Sequence, residues 1–207
     1  MGAEPILGAI EGRSDVLASE SRPVTVLLSG APGTGKSTIQ HLAPSYFRER
    51  IGEAASIGTD EIYTIVDPDW LQTNHYWKQI ARDNCIILAK NLFAHGVQVV
   101  VIGGNDLYSR GVVNQYLAAL LPVSAVLHFT LAAEIEAVVD RVDRRGDLNA
   151  HPAEWLSGWL QHVRKHVANW TRIIDTTHLT PEQTLEIIYQ KVIERDGELK
   201  DLIASET

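Results

Sequence analysis

The sequence predicts an α/β fold, a parallel sheet covered on both faces by helices. Three observations carry this. Short apolar runs rich in β-branched residues alternate along the chain with longer segments of helical periodicity. The purest run, Val97-Gln98-Val99-Val100-Val101-Ile102, is nearly all β-branched, the pattern of a strand buried on both faces of a parallel sheet. A glycine-rich loop stands directly between the first such run, Val24–Ser29, and the helical segment behind it.

Taken in order, residues 1–21 mix Ala, Gly, Glu and Ser with scattered aliphatics and form an N-terminal extension, a short appendage or docking helix. Residues 22–207 form one domain. Its predicted strands are Val24–Ser29, Ala55–Thr59, Val97–Ile102, Val123–Thr130 and Arg172–Thr176. Helices are predicted near Ser37–Arg50, His75–His95, Leu107–Leu120, Ala132–Arg145 and Ala153–Trp170. A last helix, about Pro181–Arg195, opens with Thr180-Pro181-Glu182-Gln183, a capping box with proline at its first position. Five strands separated by helices imply right-handed crossovers. Ligands then bind beyond the carboxyl ends of the strands, so functional residues should follow each strand.

Composition narrows the class. At 207 residues and 45% hydrophobic content the chain can bury a sizeable core in one domain. A formal net charge of −8 argues against nucleic acid as a partner, because an acidic surface repels a phosphate backbone. No apolar run approaches the roughly eighteen residues of a membrane span, and Met1–Ser21 lacks the basic start and apolar centre of a signal peptide. The lone cysteine, Cys85, excludes an internal disulfide and reads as a buried structural thiol, fitting a cytoplasmic protein.

The loop itself is Gly30-Ala31-Pro32-Gly33-Thr34-Gly35-Lys36-Ser37, or G-x-x-x-x-G-K-S, followed by Thr38. Strand, loop and helix in that order define a phosphate-binding P-loop. Glycines bring the backbone close to a polyphosphate, and successive N–H groups with the helix N-terminus form an anion nest. Lys36 then reaches the β- and γ-phosphates, and the Ser37 hydroxyl ligates Mg²⁺. A nucleoside triphosphate, expected to be ATP, is the implied ligand.

Candidates at the other strand ends follow. Asp60, in Gly58-Thr59-Asp60-Glu61, is placed to accept the proton of an attacking hydroxyl or to serve Mg²⁺, or else to cap a helix starting at Glu61. Asp67-Pro68-Asp69-Trp70 lines an acceptor pocket or makes a surface turn. After Ile102 two glycines, Gly103 and Gly104, stand where an acidic residue usually ends such a strand, and they would let backbone N–H groups touch substrate. Asp106 beyond them is a metal ligand or the N-cap of the next helix. Arg141, Arg144 and Arg145 have i, i+3, i+4 spacing and suit the neutralisation of a transferring phosphoryl group, or pair with Glu136, Asp140 and Asp143 on a solvated face. Arg144 is the one able to pair with Asp140, and Gly146 starts a hinge. His162 and His166 lie one turn apart without a third metal ligand, and the stripe with Trp155, Trp159 and Trp170 is packing. The loop carrying Thr176 and Thr177 passes the nucleotide base.

Together the P-loop, Gly58-Thr59-Asp60, the Gly103-Gly104 variant, the arginines at 141–145 and Ile174-Asp175-Thr176-Thr177…Thr180-Pro181-Glu182 resemble the small-molecule P-loop kinases: shikimate kinase, gluconate kinase, chloramphenicol phosphotransferase and the zeta-toxin-like ATPases. The resemblance covers about Val24–Arg195. It implies a three-layer α/β/α fold with a five-stranded parallel sheet of order 2-3-1-4-5, a helical lid over roughly 141–170, an ATP-Mg²⁺ donor and a small-molecule hydroxyl acceptor. Asp60 matches the carboxylate that acts on acceptor or metal, and Arg141, Arg144 and Arg145 match the lid arginines that grip phosphates. Between Asp60 and Asp106 the only basic residues are Lys78, Arg82 and Lys90, without the set expected of a shikimate kinase. Tyr63, Trp70, Tyr76 and Trp77 suit a neutral or cationic acceptor, such as a sugar, aminocyclitol or antibiotic. A nucleotide or nucleoside kinase and a regulatory ATPase that transfers nothing are the alternatives, and a monomer or homodimer is expected.

Overall fold

The computed structural model describes residues 22–66 and 75–204. The N-terminal extension and Asp67-Pro68-Asp69-Trp70 lie outside the described residues. The elements run β1 (Val24–Gly30), α1 (Lys36–Arg48), β2 (Ala54–Gly58), α2 (Thr59–Val66), α3 (His75–Ala94), β3 (Val99–Gly103), α4 (Arg110–Leu120), β4 (Ala125–Ala132), α5 (Ile135–Arg144), α6 (Ala153–Val167), β5 (Arg172–Asp175), α7 (Pro181–Glu194) and β6 (Glu198–Leu199). The main sheet has the order β2-β3-β1-β4-β5, with all four pairings parallel.

Burial explains the strand composition. Every residue of β1, β3 and β4 is buried, because these strands sit in the middle with helices on both faces. The edge strands β2 and β5 each leave residues partly or fully exposed. Along β1, Val24, Val26 and Leu28 face a core with Ile39, Ala43 and Phe47 of α1 and Leu185, Ile188 and Val192 of α7. Leu27 faces the opposite core, with Cys85 and Ile86 of α3 and Val113, Tyr116 and Leu117 of α4. A third cluster packs Val138 and Val142 of α5 against Leu156, Leu160, Val163 and Val167 of α6, together with Ala31 of the P-loop. Each such aliphatic contributes about 1.5–3 kcal/mol on burial, which seats α5 and α6 on the P-loop.

The chain departs from the expectation in three places. A sixth strand, β6, pairs antiparallel with β4 through Val126–Leu199 and Leu127–Glu198. β5 begins opposite Phe129 and leaves the first half of β4 with an open edge, which β6 closes. The chain beyond it is fastened to α4: Asn114 exchanges hydrogen bonds of 2.9 and 2.8 Å with the Ile203 backbone, and Arg110 donates to the Ala204 carbonyl. An extra helix, α2, follows β2 directly. Helix α4 begins at Arg110 instead of Leu107, because Leu107 is fully buried and its carbonyl lies 3.0 Å from His128 Nε2. The predicted capping box of α7 is present, with Thr180 and Gln183 bonding reciprocally. No helix among the described residues is long and apolar enough to cross a membrane.

His128 is wholly buried in β4, stacked on Trp170 with Nδ1 2.6 Å from Thr171 Oγ1. Burial pushes its pKa from 6.5 down to about 3, so the native imidazole stays neutral. The unfolded chain takes up a proton below pH 6.5 that the native state refuses until about 3. Stability from this group is therefore complete above pH 6.5 and is lost as pH falls toward 3, by at most about 1.4 kcal/mol per pH unit. The unfolding free energy of the wild type, from urea titrations, should fall more steeply from pH 7 to 5 than that of His128→Asn, by about 2 kcal/mol over that range. Equal slopes would show that His128 is charged in the native protein.

Candidate nucleotide and acceptor site

The P-loop folds as its residues require. Gly30 has φ 148°, and a Cβ there would meet the Leu131 carbonyl oxygen at 2.5 Å and Thr34 Oγ1 at 2.7 Å. Gly35, at φ 103°, precedes the first turn of α1, and its would-be Cβ meets only open space, the volume a phosphate needs. Thr34 is buried, its hydroxyl donating to the Ala31 carbonyl at 2.8 Å. Ser37 and Thr38 are exposed on the first turn of α1. Ala31, Pro32 and Gly33 close the loop, with Gly33 against Val138 and Val142 of the lid.

Lys36 is folded into this loop. Its Nζ donates to the Gly30 carbonyl at 2.7 Å and the Ala31 carbonyl at 3.1 Å. Burial lowers its pKa from 10.5 to about 8, against the pull of Asp60, while the nearby Arg145 lowers it further. The loop therefore holds a cation whose charge is poorly solvated and waits for an anion.

Of the lid arginines, Arg144 pairs with Asp140 at 2.7 Å on a solvated face, as the spacing allowed. Arg141 is anchored elsewhere. It donates to Thr176 Oγ1 at 3.2 Å, to the Thr176 carbonyl at 2.5 Å and to the Thr177 carbonyl at 3.3 Å. Thr176 Oγ1 in turn donates to the Thr34 carbonyl at 3.1 Å, so Arg141 joins α5, the loop after β5 and the P-loop. Thr177 is fixed separately, its hydroxyl donating to Asp175 at 2.5 Å and accepting from the Glu134 N–H at 3.0 Å. These bonds hold the Asp175 carboxyl below its usual range. Arg145, 3.6 Å from Asp147, is the arginine whose charge presses on Lys36.

Asp60 lies in the first turn of α2 instead of capping a helix begun at Glu61. Its Oδ2 accepts from Asn105 Nδ2 at 2.8 Å. Burial raises its pKa, opposed by Lys36 and reinforced by Asp106 and Glu61, which favours a carboxylate able to take a proton. The N-cap of α4 is Ser109, so Asp106 is not a cap. It accepts from the Tyr63 hydroxyl and from Arg82 Nε at 3.2 Å, and its Oδ1 is buried with no hydrogen-bond partner among the described residues. Gly103 and Gly104 serve packing: a Cβ at either would strike the Gln40 amide or the Thr59 hydroxyl, and the Gly104 N–H already donates to the Leu28 carbonyl. Tyr63 is buried beneath this network, and Tyr76 and Trp77 sit edge to face on the surface at the start of α3. Asn105 and the Arg82–Tyr63 pair escaped the sequence reading, although Asn105 stands in the very loop that faces Asp60.

The donor set fits ATP-Mg²⁺. Open space flanks Gly35, the Ser37 hydroxyl is accessible and Asp60 is within electrostatic reach of Lys36. Among the described residues no cluster of three His, Cys, Asp or Glu forms a metal site without phosphate, which extends to His162 and His166. Those two rings pack with Trp159 around Tyr108.

Comparison with known proteins bears on the fold. The zeta toxin family model matches residues 9–95, less than half of the chain but including the P-loop, Asp60 and Arg82. No curated protein matches. Among solved structures, the tunicamycin resistance protein of Deinococcus radiodurans superposes with a TM-score of 0.60 at 18% identity, over 83% of this chain and 96% of that one. A shikimate kinase from Acinetobacter baumannii in complex with shikimate gives 0.57 at 13%, over 88% and 98%. A chain of the Pnkp1/Rnl/Hen1 RNA repair complex gives 0.54 at 15%, over 72% of this chain but 47% of its own length. The chain has the P-loop kinase fold, with the sheet order 2-3-1-4-5.

Two outcomes follow. Lys36 is half deprotonated near pH 8 before nucleotide binds, and phosphate oxygens should raise its pKa. Calorimetry of ATP binding in buffers of different ionisation enthalpy should show uptake of about half a proton at pH 8, almost none at pH 6.5, and none in Lys36→Met. Arg141→Ala removes the clamp on the base loop and should weaken binding of a fluorescent ATP analogue about tenfold, the scale of a lost charged hydrogen bond. Unchanged affinity would detach that loop from the nucleotide.

Proposed function

We propose that this protein is an ATP-dependent kinase that transfers the γ-phosphoryl group to a hydroxyl of a small molecule, working in the cytoplasm. The observation that carries the reading is a buried Lys36 held on the Gly30 and Ala31 carbonyls of the P-loop, with Asp60, a half-buried carboxylate of raised pKa, within its electrostatic reach. The P-loop N–H groups and Lys36 would hold the β- and γ-phosphates. Mg²⁺, held by the Ser37 hydroxyl and on the Asp60 side, would supply neutralisation of the phosphate charge.

In the reaction the acceptor oxygen forms its bond to the γ-phosphorus as the bond to the ADP oxygen breaks, and the acceptor proton passes to Asp60. Asn105 fixes the Asp60 carboxylate during this transfer. Arg145 and Lys36 balance charge on the moving group, which makes the chemistry mostly positioning and electrostatics. The match to the zeta toxin model and the superposition on kinases support this reading.

The test is ADP release from purified protein with and without added hydroxyl compounds. Stimulation by an acceptor is expected, with Asp60→Asn losing about 10²-fold or more in turnover while ATP affinity stays near normal. Equal ADP release with and without every acceptor would instead support a regulatory ATPase, and selective stimulation by nucleosides or nucleotides a nucleotide kinase.

A further inference from the structure

The acceptor side of the cleft holds more carboxylate than free cation. Asp60 and Glu61 stand in the first turn of α2, and Asp106 follows Asn105, whose amide donates to Asp60. Lys36 belongs to the phosphates. Arg82 is the cation of α3 that reaches this loop, and its side chain is only 11% exposed, locked at 3.2 Å on Asp106, itself 25% exposed. The Tyr63 hydroxyl bonds the same Asp106 oxygen, which fixes the carboxylate on two sides. A buried guanidinium already matched by a carboxylate has no net charge left to hold a second anion, and breaking the pair would strand a buried charge. The remaining Asp106 oxygen, Oδ1, is buried and has no hydrogen-bond partner among the described residues.

We infer that Asp106 is a specificity-determining residue: by holding Arg82 in an internal ion pair it makes the cleft take a neutral or ammonium-bearing polyol and turn away one bearing carboxylate or phosphate. This rests on the kinase reading. A carboxylate on the acceptor would face Asp60, Glu61 and Asp106 with no unmatched cation from Arg82 to offset them. Replacing Asp106 by asparagine keeps the shape and the acceptor oxygen for Arg82 but leaves the guanidinium charge uncompensated, so the preference should reverse.

The experiment measures acceptor-stimulated ADP release over sets of polyols matched in skeleton and differing in charge: sugars and cyclitols with their amino, carboxylate and phosphate derivatives. Wild-type stimulation by neutral or amino members, at least about tenfold above the anionic members of the same set, is expected. Asp106→Asn should lose at least tenfold of that preference, and Lys78→Gln, one turn before Arg82, should keep it. Preference of the wild type for carboxylate or phosphate members overturns the inference while leaving the kinase reading intact, and the wild-type result stands even where the Asp106 variant does not fold. A folded Asp106→Asn with unchanged preference also overturns it. Absence of stimulation by every set overturns the kinase reading, and with it the inference.

Discussion

A lysine ammonium buried among carbonyl oxygens is the constraint on which the rest of this site depends. Lys36 can be kept out of water only because the positive-φ turn at Gly30 aims two carbonyls at its Nζ, and only because the lid helices close over the loop through Val138 and Val142. Burial lowers the pKa of the ammonium and leaves its charge under-solvated. The same desolvation makes a polyphosphate a better partner than water. The surrounding groups are arranged on this account: Asp60 across the cleft favours the charged form, and Arg145 opposes it.

Helix α5 is fastened to the P-loop on two sides. Val138 and Val142 touch Gly33, while Arg141 and Thr176 tie α5 to the base loop and to the Thr34 carbonyl. Movement of α5 thus strains loop, base contact and lysine together. Arg145, at the C-terminal end of α5 and followed by Gly146 at φ 77°, pairs with Asp147 at 3.6 Å, both side chains about half exposed. The three arginines thus differ in place: Arg141 is anchored on the loop after β5, Arg144 is paired on a solvated face, and Arg145 lies near Lys36.

Much of the fold was legible because buried parallel strands write continuous β-branched runs, as in Val99-Val100-Val101-Ile102, and because the P-loop must have its glycines, lysine and serine in fixed order. The capping box at Thr180 is equally local and equally readable. What escaped depends on tertiary placement. β6 has two residues and no hydrophobic pattern, and exists because β5 is too short to cover β4. Asp106 carries the sequence mark of a helix cap, yet Arg82 and Tyr63, from α3 and α2, claim its carboxylate and push the helix start to Arg110. The role of Arg141 was hidden for the same reason, since its partners lie thirty-five and thirty-six residues away.

The clasp formed by β6 and the segment fastened to Asn114 has a consequence for how copies of this chain behave toward one another. The first half of β4 would otherwise present backbone donors and acceptors in extended form, a template onto which a strand of any second molecule could add. Two residues in antiparallel register occupy that template, and the bonds of Asn114 and Arg110 to residues 203 and 204 hold them in place at small cost in chain length. The segment 198–204 thereby covers backbone edge that would otherwise lie open along Ala125, Val126 and Leu127, with a few hydrogen bonds at the end of the sheet away from the P-loop.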